Sequence, residues 1–144
     1  MNKVMIDTNV WVDVVLNRPA FVERSKAALM ACLEENIEML MPATSLKDVF
    51  YFATRSAGSD AGYRAIELLL EIATPVQVDA IVCDKAQYLE KPDYEDGIVS
   101  ACALIEKADA IITRDEGSFN DLNIPKFAPN SFLESLGYKP ISLE

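Results

Sequence analysis

Hydrophobic positions along the chain alternate between two rhythms. Short apolar runs at Val4–Ile6, Ile37–Met41, Pro75–Val78 and Ala110–Ile112 are bounded by polar, Pro or Asp residues and have the length of buried strands. Between them apolar residues recur at helical spacing. Val10, Trp11 and Val14 follow the first strand, and Phe21, Ala28, Leu29, Cys32 and Leu33 predict a helix up to Glu35. Leu46, Val49, Phe50 and Ala53 predict another from Ser45 until Gly58 stops it. Ala61, Ala65, Leu68, Leu69 and Ile72 follow a cap at Asp60, and Ile81, Val82, Ala86 and Leu89 face inward between Asp79 and Glu90. The helix opened by Pro92 and Asp93 is apolar nearly all round from Ile98 to Ile105 except at Ser100, which predicts a place against the sheet under other helices. Ile124–Ala128 predicts a fifth, edge strand that tolerates Pro125 only at its start, and Asn130 a cap for a last helix through Leu136, closed by Gly137 and Pro140. Strands alternating with helices predict an α/β fold, a mostly parallel sheet of four to five strands covered on both faces. No repeat, low-complexity tract or linker interrupts the pattern, so residues 1–144 are expected to form a single domain.

Composition narrows the chemistry. A chain of 144 residues, 51% hydrophobic and 25% charged, can bury a core without disulfides or a structural metal. No apolar run approaches the length of a membrane span, and the few apolar residues ahead of Asp7 are too short a run for a signal peptide, so a cytoplasmic location without membrane contact is expected. Cys32, Cys83 and Cys102 form no C-x-x-C pair and read as buried small hydrophobes in a reducing compartment rather than as a zinc site. There is no histidine, which removes Ser-His and Cys-His nucleophile pairs and His-ligated metals together. Five unclustered glycines leave no dinucleotide or phosphate-binding loop. What remains is carboxylates, 23 acids against 13 Lys and Arg, and such a set suits hard cations such as Mg²⁺ or Mn²⁺. The net charge of −10 cuts against nucleic acid as a partner unless a bound cation reverses the local sign and Arg18, Arg24, Lys26, Arg55 and Arg64 gather on one rim. The alternative for each of these five is a solvated, scattered surface charge.

The first and fourth strands end alike, in an apolar triplet followed closely by an acid: Asp7 after Val4–Ile6, and Asp115 after Ala110–Ile112. In a parallel sheet both ends point to one edge, where ligands of open α/β folds collect, so Asp7 and Asp115 can face one crevice. For Asp7 the alternative is a helix cap. Asp93-Tyr94-Glu95-Asp96 sits at the N-terminus of the apolar helix and can aim a third acid, Asp96, at that edge, although Asp93 and Asp96 also have the spacing of a cap and its partner. Asp48 has an equally local explanation in Ser45-Leu46-Lys47-Asp48, and Asp13 is read as a solvated helix position that could at most rim the site. Thr8, Asn9 and Thr113 are neutral polar groups able to hold a carboxylate or a water in place, or to serve turns and caps. Trp11, Tyr51 and Phe52 are read as core. Converging carboxylates persist when a divalent cation neutralises them or their pKa values rise, and with no histidine nearby metal is the simpler resolution. Such a site best supports phosphodiester hydrolysis.

The order Asp7-Thr8-Asn9 after a first strand, Asp48 early in a helix, Asp96 within E-D-G-I-V-S-A-C-A, and I-I-T-R-D-E-G-S-F ending at Phe119 resembles the PIN-domain nucleases, and within them the VapC-type ribonuclease toxins, over nearly the whole chain. The resemblance implies a PIN-like three-layer α/β/α sandwich and Mg²⁺ or Mn²⁺ held by Asp7, Asp96 and Asp115. It implies Asp48 orienting or activating water, Thr113 in support, and single-stranded or structured RNA as substrate. A small antitoxin and a homodimer are further implications of that likeness, and the acidity of the chain leads to an antitoxin contact rich in Arg or Lys. Asp48 departs from the pattern, because many family members carry the longer Glu there. Two other readings remain: a catalytically silent PIN-like module binding RNA or protein, and a phosphatase of the haloacid dehalogenase type with Asp7 as nucleophile. The second lacks its usual acid two residues on, where Asn9 stands.

Overall fold

Side chains of a strand alternate between the two faces of a sheet, and here both sets are buried. The computed structural model describes residues 1–142. It contains β1 (Lys3–Ile6), α1 (Thr8–Val15), α2 (Val22–Glu34), β2 (Glu38–Pro42), α3 (Ser45–Ala57), α4 (Ser59–Ile72), β3 (Thr74–Val76), α5 (Ala80–Ala86), α6 (Tyr94–Ile105), β4 (Ala110–Ile112), β5 (Lys126–Phe127) and α7 (Pro129–Ser135). Val4 and Ile6, Met39 and Met41, and Ala110 and Ile112 pack into one core with residues of α1, α2, α3, α4 and α7. Met5, Leu40 and Ile111, the residues between them, enter a second core with α5 and α6. The sheet is therefore the middle of three layers, and continuous apolar runs are what a strand covered on both faces requires.

All strand pairs are parallel, in the order β3-β2-β1-β4-β5. From β1 the chain goes first to β2 on one side and later to β4 on the other. The gap between the carboxyl ends of β1 and β4 is thus the topological switch point, where helices on opposite faces leave a crevice. Ile6 is in register with Ile112, so Asp7 and Thr113 leave the sheet side by side.

Several local expectations need correction. Gly58, with φ 91, ends α3 and caps α4 in one residue, so Asp60 lies inside the first turn of α4 and is not its cap. Asn130 does not cap α7, whose cap is Ala128. Its side chain instead holds the backbone of Ile141 by two hydrogen bonds, of 2.9 and 3.1 Å. The helix expected to reach Glu90 ends at Ala86, because α6 crosses tightly there: a Cβ on Gly97 would stand 2.3 Å from the Ala86 carbonyl oxygen. Ile81 is 69% exposed rather than inward, and Cys83 on the same helix is exposed while Cys32 and Cys102 are buried as expected. On α3 the buried positions are Val49 and Ala53, which leaves Tyr51 and Phe52 exposed and not in the core. Among the described residues no helix is long and apolar enough to cross a membrane.

Candidate functional site

The crevice at the switch point is a cleft of about 290 Å³ lined by Asp7, Asn9, Arg18, Phe52, Asp96 and Asp115, among others. Asp7 is at once the cap of α1 and a wall of this cleft, so the two readings of its sequence position are not alternatives. One carboxylate oxygen accepts from the Thr8 amide at 2.8 Å and the other from the Thr113 hydroxyl at 2.8 Å. Burial pushes its pKa up to about 6, against the lowering effect of the Thr113 hydrogen bond, and the nearby Asp96 and Glu95 charges raise it further. An acid held in this way has a neighbourhood that favours loss of its charge or the arrival of a cation.

Thr113 is the hinge between two acids. Its hydroxyl donates to Asp7 and accepts from the Asp115 amide at 3.0 Å, which sets the chain direction after β4. Asp115 then accepts from the Gly117 amide at 2.8 Å and from the Ser118 hydroxyl at 2.7 Å. These contacts, that of Ser118 first, hold its carboxyl below the usual range. Ser118 also stands 2.7 Å from a carboxylate oxygen of Asp96. A hydroxyl has one proton to give, so both contacts are favourable together only when Asp96 carries a proton or a cation lies close by. Burial, more than any other cause, raises Asp96 above its usual range.

Asp96 sits in the first turn of α6, capped by Asp93, which accepts from the Asp96 amide at 3.0 Å. The cap and the cleft wall coexist here too, because the cap uses the backbone of Asp96 and leaves its carboxylate free to reach Ser118. The expected capping box at Ser45 and Asp48 is absent: Ser45 is paired through its hydroxyl with Thr8 at 2.8 Å, and Thr44 takes the cap position without a side-chain bond. That pair ties the end of β2 to the end of β1. Asp48 touches Lys47 at 3.0 Å and faces Glu95, whose pKa rises through burial first and the Asp48 carboxylate second. Asp48 therefore joins the acids through Glu95 and not by direct contact with Asp7, Asp96 or Asp115. Asn9 lines the cleft with a buried side-chain oxygen that has no hydrogen-bond partner. Trp11 is fully buried and donates to the Ile6 carbonyl at 3.2 Å, a core role.

Three residues that matter to this arrangement, Glu95, Ser118 and Lys126, are not among the acids and polar groups singled out from the sequence, and a fourth, Asp13, is placed otherwise than expected. Glu95 and Ser118 lie within quoted motifs, but nothing in the spacing distinguishes them from solvated positions. Lys126 of β5 reaches across to the loop after β4, donating to the carbonyls of Ser118 at 2.8 Å and Glu116 at 3.0 Å and to the Asn120 side chain at 2.7 Å. Asp13, expected in solvent, is fully buried. It accepts from Arg114 Nε at 2.6 Å and Nη2 at 3.1 Å and from the Ser25 hydroxyl at 3.0 Å, with Arg18 Nη1 at 3.5 Å. Its partner Arg114 lies between Thr113 and Asp115, so the ion pair fixes the segment that carries both.

The available donors are all oxygens, from carboxylates and the unpartnered Asn9 amide, which fits a hard divalent cation. Among the described residues, however, no three acids already stand close enough together to enclose an ion. Asp96 and Asp115 are joined through Ser118, and Asp7 and Asp115 through Thr113.

No curated protein sequence matches the chain. Solved structures with the same fold include VapBC2 from Rickettsia felis bound to a DNA fragment from its promoter, with 14% identity, a TM-score of 0.70 and coverage of 88% of this chain and 98% of the other. VapBC-1 from nontypeable Haemophilus influenzae is 19% identical with a TM-score of 0.66, covering 88% and 98%. The sarcin-ricin loop cleaving toxin VapC20 from Mycobacterium tuberculosis is 13% identical with a TM-score of 0.61, covering 96% and 98%. The family profile of the PIN domain matches residues 3–117, a span that runs from β1 through the loop carrying Asp115, and the chain belongs to the PIN-domain family.

Proposed function

We propose that the chain is a divalent-metal-dependent endoribonuclease, the toxin of a toxin-antitoxin pair, that hydrolyses RNA phosphodiester bonds in the cleft between β1, β4 and α6. The observation that carries the reading is Asp7: a nearly buried acid at the switch point, with its pKa pushed to about 6 and Asp96 and Asp115 on the same cleft wall. The family match and the likeness to VapC20, described as a sarcin-ricin loop cleaving toxin, support the reaction class.

Asp7, Asp96 and Asp115 would hold Mg²⁺ or Mn²⁺, which when bound acidifies water and offsets the charge of a phosphate. Thr8 and Thr113 fix both oxygens of Asp7, and the Ser45–Thr8 hydroxyl pair holds the start of α1. Ser118 keeps Asp96 and Asp115 at a common spacing. Glu95, raised by burial first and by the facing Asp48 carboxylate second, lines the cleft with Asp48 behind it, and the pair is suited to orienting or activating a water. The Asn9 oxygen is available to a water in the cleft. An antitoxin rich in Arg or Lys at its contact would neutralise these acids, and the toxin itself would act as a homodimer.

The test is cleavage of a fluorogenic RNA with Mg²⁺ by the wild type, Asp7→Asn and Asp96→Asn. Activity should fall by at least about two orders of magnitude in each variant, beyond the ten- to hundredfold loss typical of an outer-shell partner. Circular dichroism should be unchanged, and chelation should silence the wild type. Equal cleavage by all three proteins would overturn the assignment and leave the silent-module reading.

A further inference from the structure

The acid-lined site cleft is flanked on two sides, and the charges of the two flanks differ. On one flank a larger cleft, about 630 Å³, shares Asp93, Asp96 and Asp115 with the site and continues past Glu90 and Asp121, with Lys91 as its only cation. On the other flank stand Arg18, the one cation among the described residues lining the site cleft, and the exposed ring of Phe52. Arg18 contacts buried Asp13, and the same Asp13 holds Arg114, which lines an adjoining pocket of about 190 Å³ with Phe21, Arg24 and Asn130. Phe21 orders both guanidinium groups there, with Arg114 3.7 Å and Arg24 5.7 Å from its ring centroid. Beyond the five acids of the site cleft, this side carries Arg18, Arg24 and Arg114 against Glu116 and an Asp13 shielded from solvent, whereas the larger cleft adds Glu90 and Asp121 to Lys91.

We infer that the RNA strand enters the site along the Arg18 side: Arg18 and Arg24 bind the backbone phosphates flanking the scissile bond, Phe52 offers a face to a base, and the larger cleft past Glu90 and Asp121 stays free of nucleic acid. Resting on the nuclease reading above, the inference adds the direction of the strand. In a chain of net charge −10 a polyanion is steered to a path where several cations are grouped and held in place. Asp13 supplies that fixing for Arg18 and Arg114, since an arginine tethered by a buried carboxylate gives up less side-chain freedom on meeting a phosphate. A cationic track with an aromatic face is the ordinary means of holding single strands without sequence preference.

The experiment is fluorescence anisotropy of a labelled single-stranded RNA on the Asp7→Asn chain in Mg²⁺ at several salt concentrations, with Arg18→Gln, Arg24→Gln and Lys91→Gln added singly. Each arginine change should weaken binding roughly three- to tenfold and flatten the log-log salt slope by about 0.7. Lys91→Gln should leave both unchanged. Arg18→Gln leaves Asp13 paired with Arg114 and Ser25, and thermal melts check that the fold is kept. Normal binding by both arginine variants overturns the track while leaving the nuclease reading intact, and a loss only with Lys91→Gln moves the strand to the other cleft. Shortened RNA in the Asp7→Asn reactions would refute the catalytic assignment independently of where the strand lies, and no RNA binding at all removes both.

Discussion

At the scale of single residues, Asp7 makes opposite demands on folding and on chemistry. Its carboxyl is ordinary in the unfolded chain, at 3.8, and is pushed to about 6 when folded, chiefly by burial. The folded state therefore binds the proton more tightly, and between these two values stability falls as pH rises. The Asp7 contribution is fully present below about pH 4 and lost above about pH 6, a change on the order of 3 kcal/mol from the size of the shift. Urea unfolding of metal-free protein should show this decline between pH 4 and 7, and Asp7→Asn should remove most of it, making the variant more stable than the wild type at pH 7.5. Mg²⁺ should restore stability to the wild type at that pH and do little for Asp7→Asn. An identical pH profile for the two proteins would mean that Asp7 is not the strained group.

At the scale of elements, the site depends on how closely α6 lies against the end of α5. Gly97, immediately after Asp96, would place a Cβ 2.3 Å from the Ala86 carbonyl oxygen and 3.0 Å from that of Leu89, both backbone atoms that cannot swing aside. Gly97→Ala must shift α6 or open the α5 end, with an overpacking cost of about 1–3 kcal/mol. Because Asp96 rides on the same turn and meets Ser118 at 2.7 Å, cleavage should fall more steeply than stability, by roughly tenfold or more for a misplacement on the order of 1 Å. Chemical denaturation beside kcat measurement separates the two effects, and full activity in a destabilised Gly97→Ala protein would show that Asp96 is not positioned through this contact. The strands and most helices were legible because periodicity within one segment decides them. Asp60, Asn130 and the end of α5 were misjudged where a neighbour, Gly58, Ile141 or Gly97, decides the outcome. Asp7, Asp96 and Asp115 were legible as acids meeting at one edge because strand ends and a helix start have fixed directions in a parallel sheet. The burial of Asp13 was not, since its partner Arg114 is brought to it only by the folded topology.

At the scale of the molecule, charge sets two salt dependences of opposite sign. A net charge of −10 on 144 residues, with Asp7, Asp93, Glu95, Asp96 and Asp115 sharing one cleft, makes the metal-free folded state self-repelling. Monovalent salt screens that repulsion over a Debye length of about 10 Å at 0.1 M, and the repulsion is weaker in the expanded chain, so salt favours the fold. The same screening weakens RNA binding, in which the gain comes from counterions released by a few arginines. Raising NaCl from about 0.05 to 0.5 M, across which the Debye length shortens severalfold, should therefore raise the Tm of the metal-free protein while lowering its affinity for RNA. Mg²⁺ at millimolar concentration should produce most of the rise in Tm alone, because a cation bound among the acids removes the repulsion at its source. A Tm that falls with added NaCl would mean that the paired charges, Asp13 with Arg114 foremost, outweigh the surplus of acids, and that the cleft is not the electrostatic burden its composition indicates.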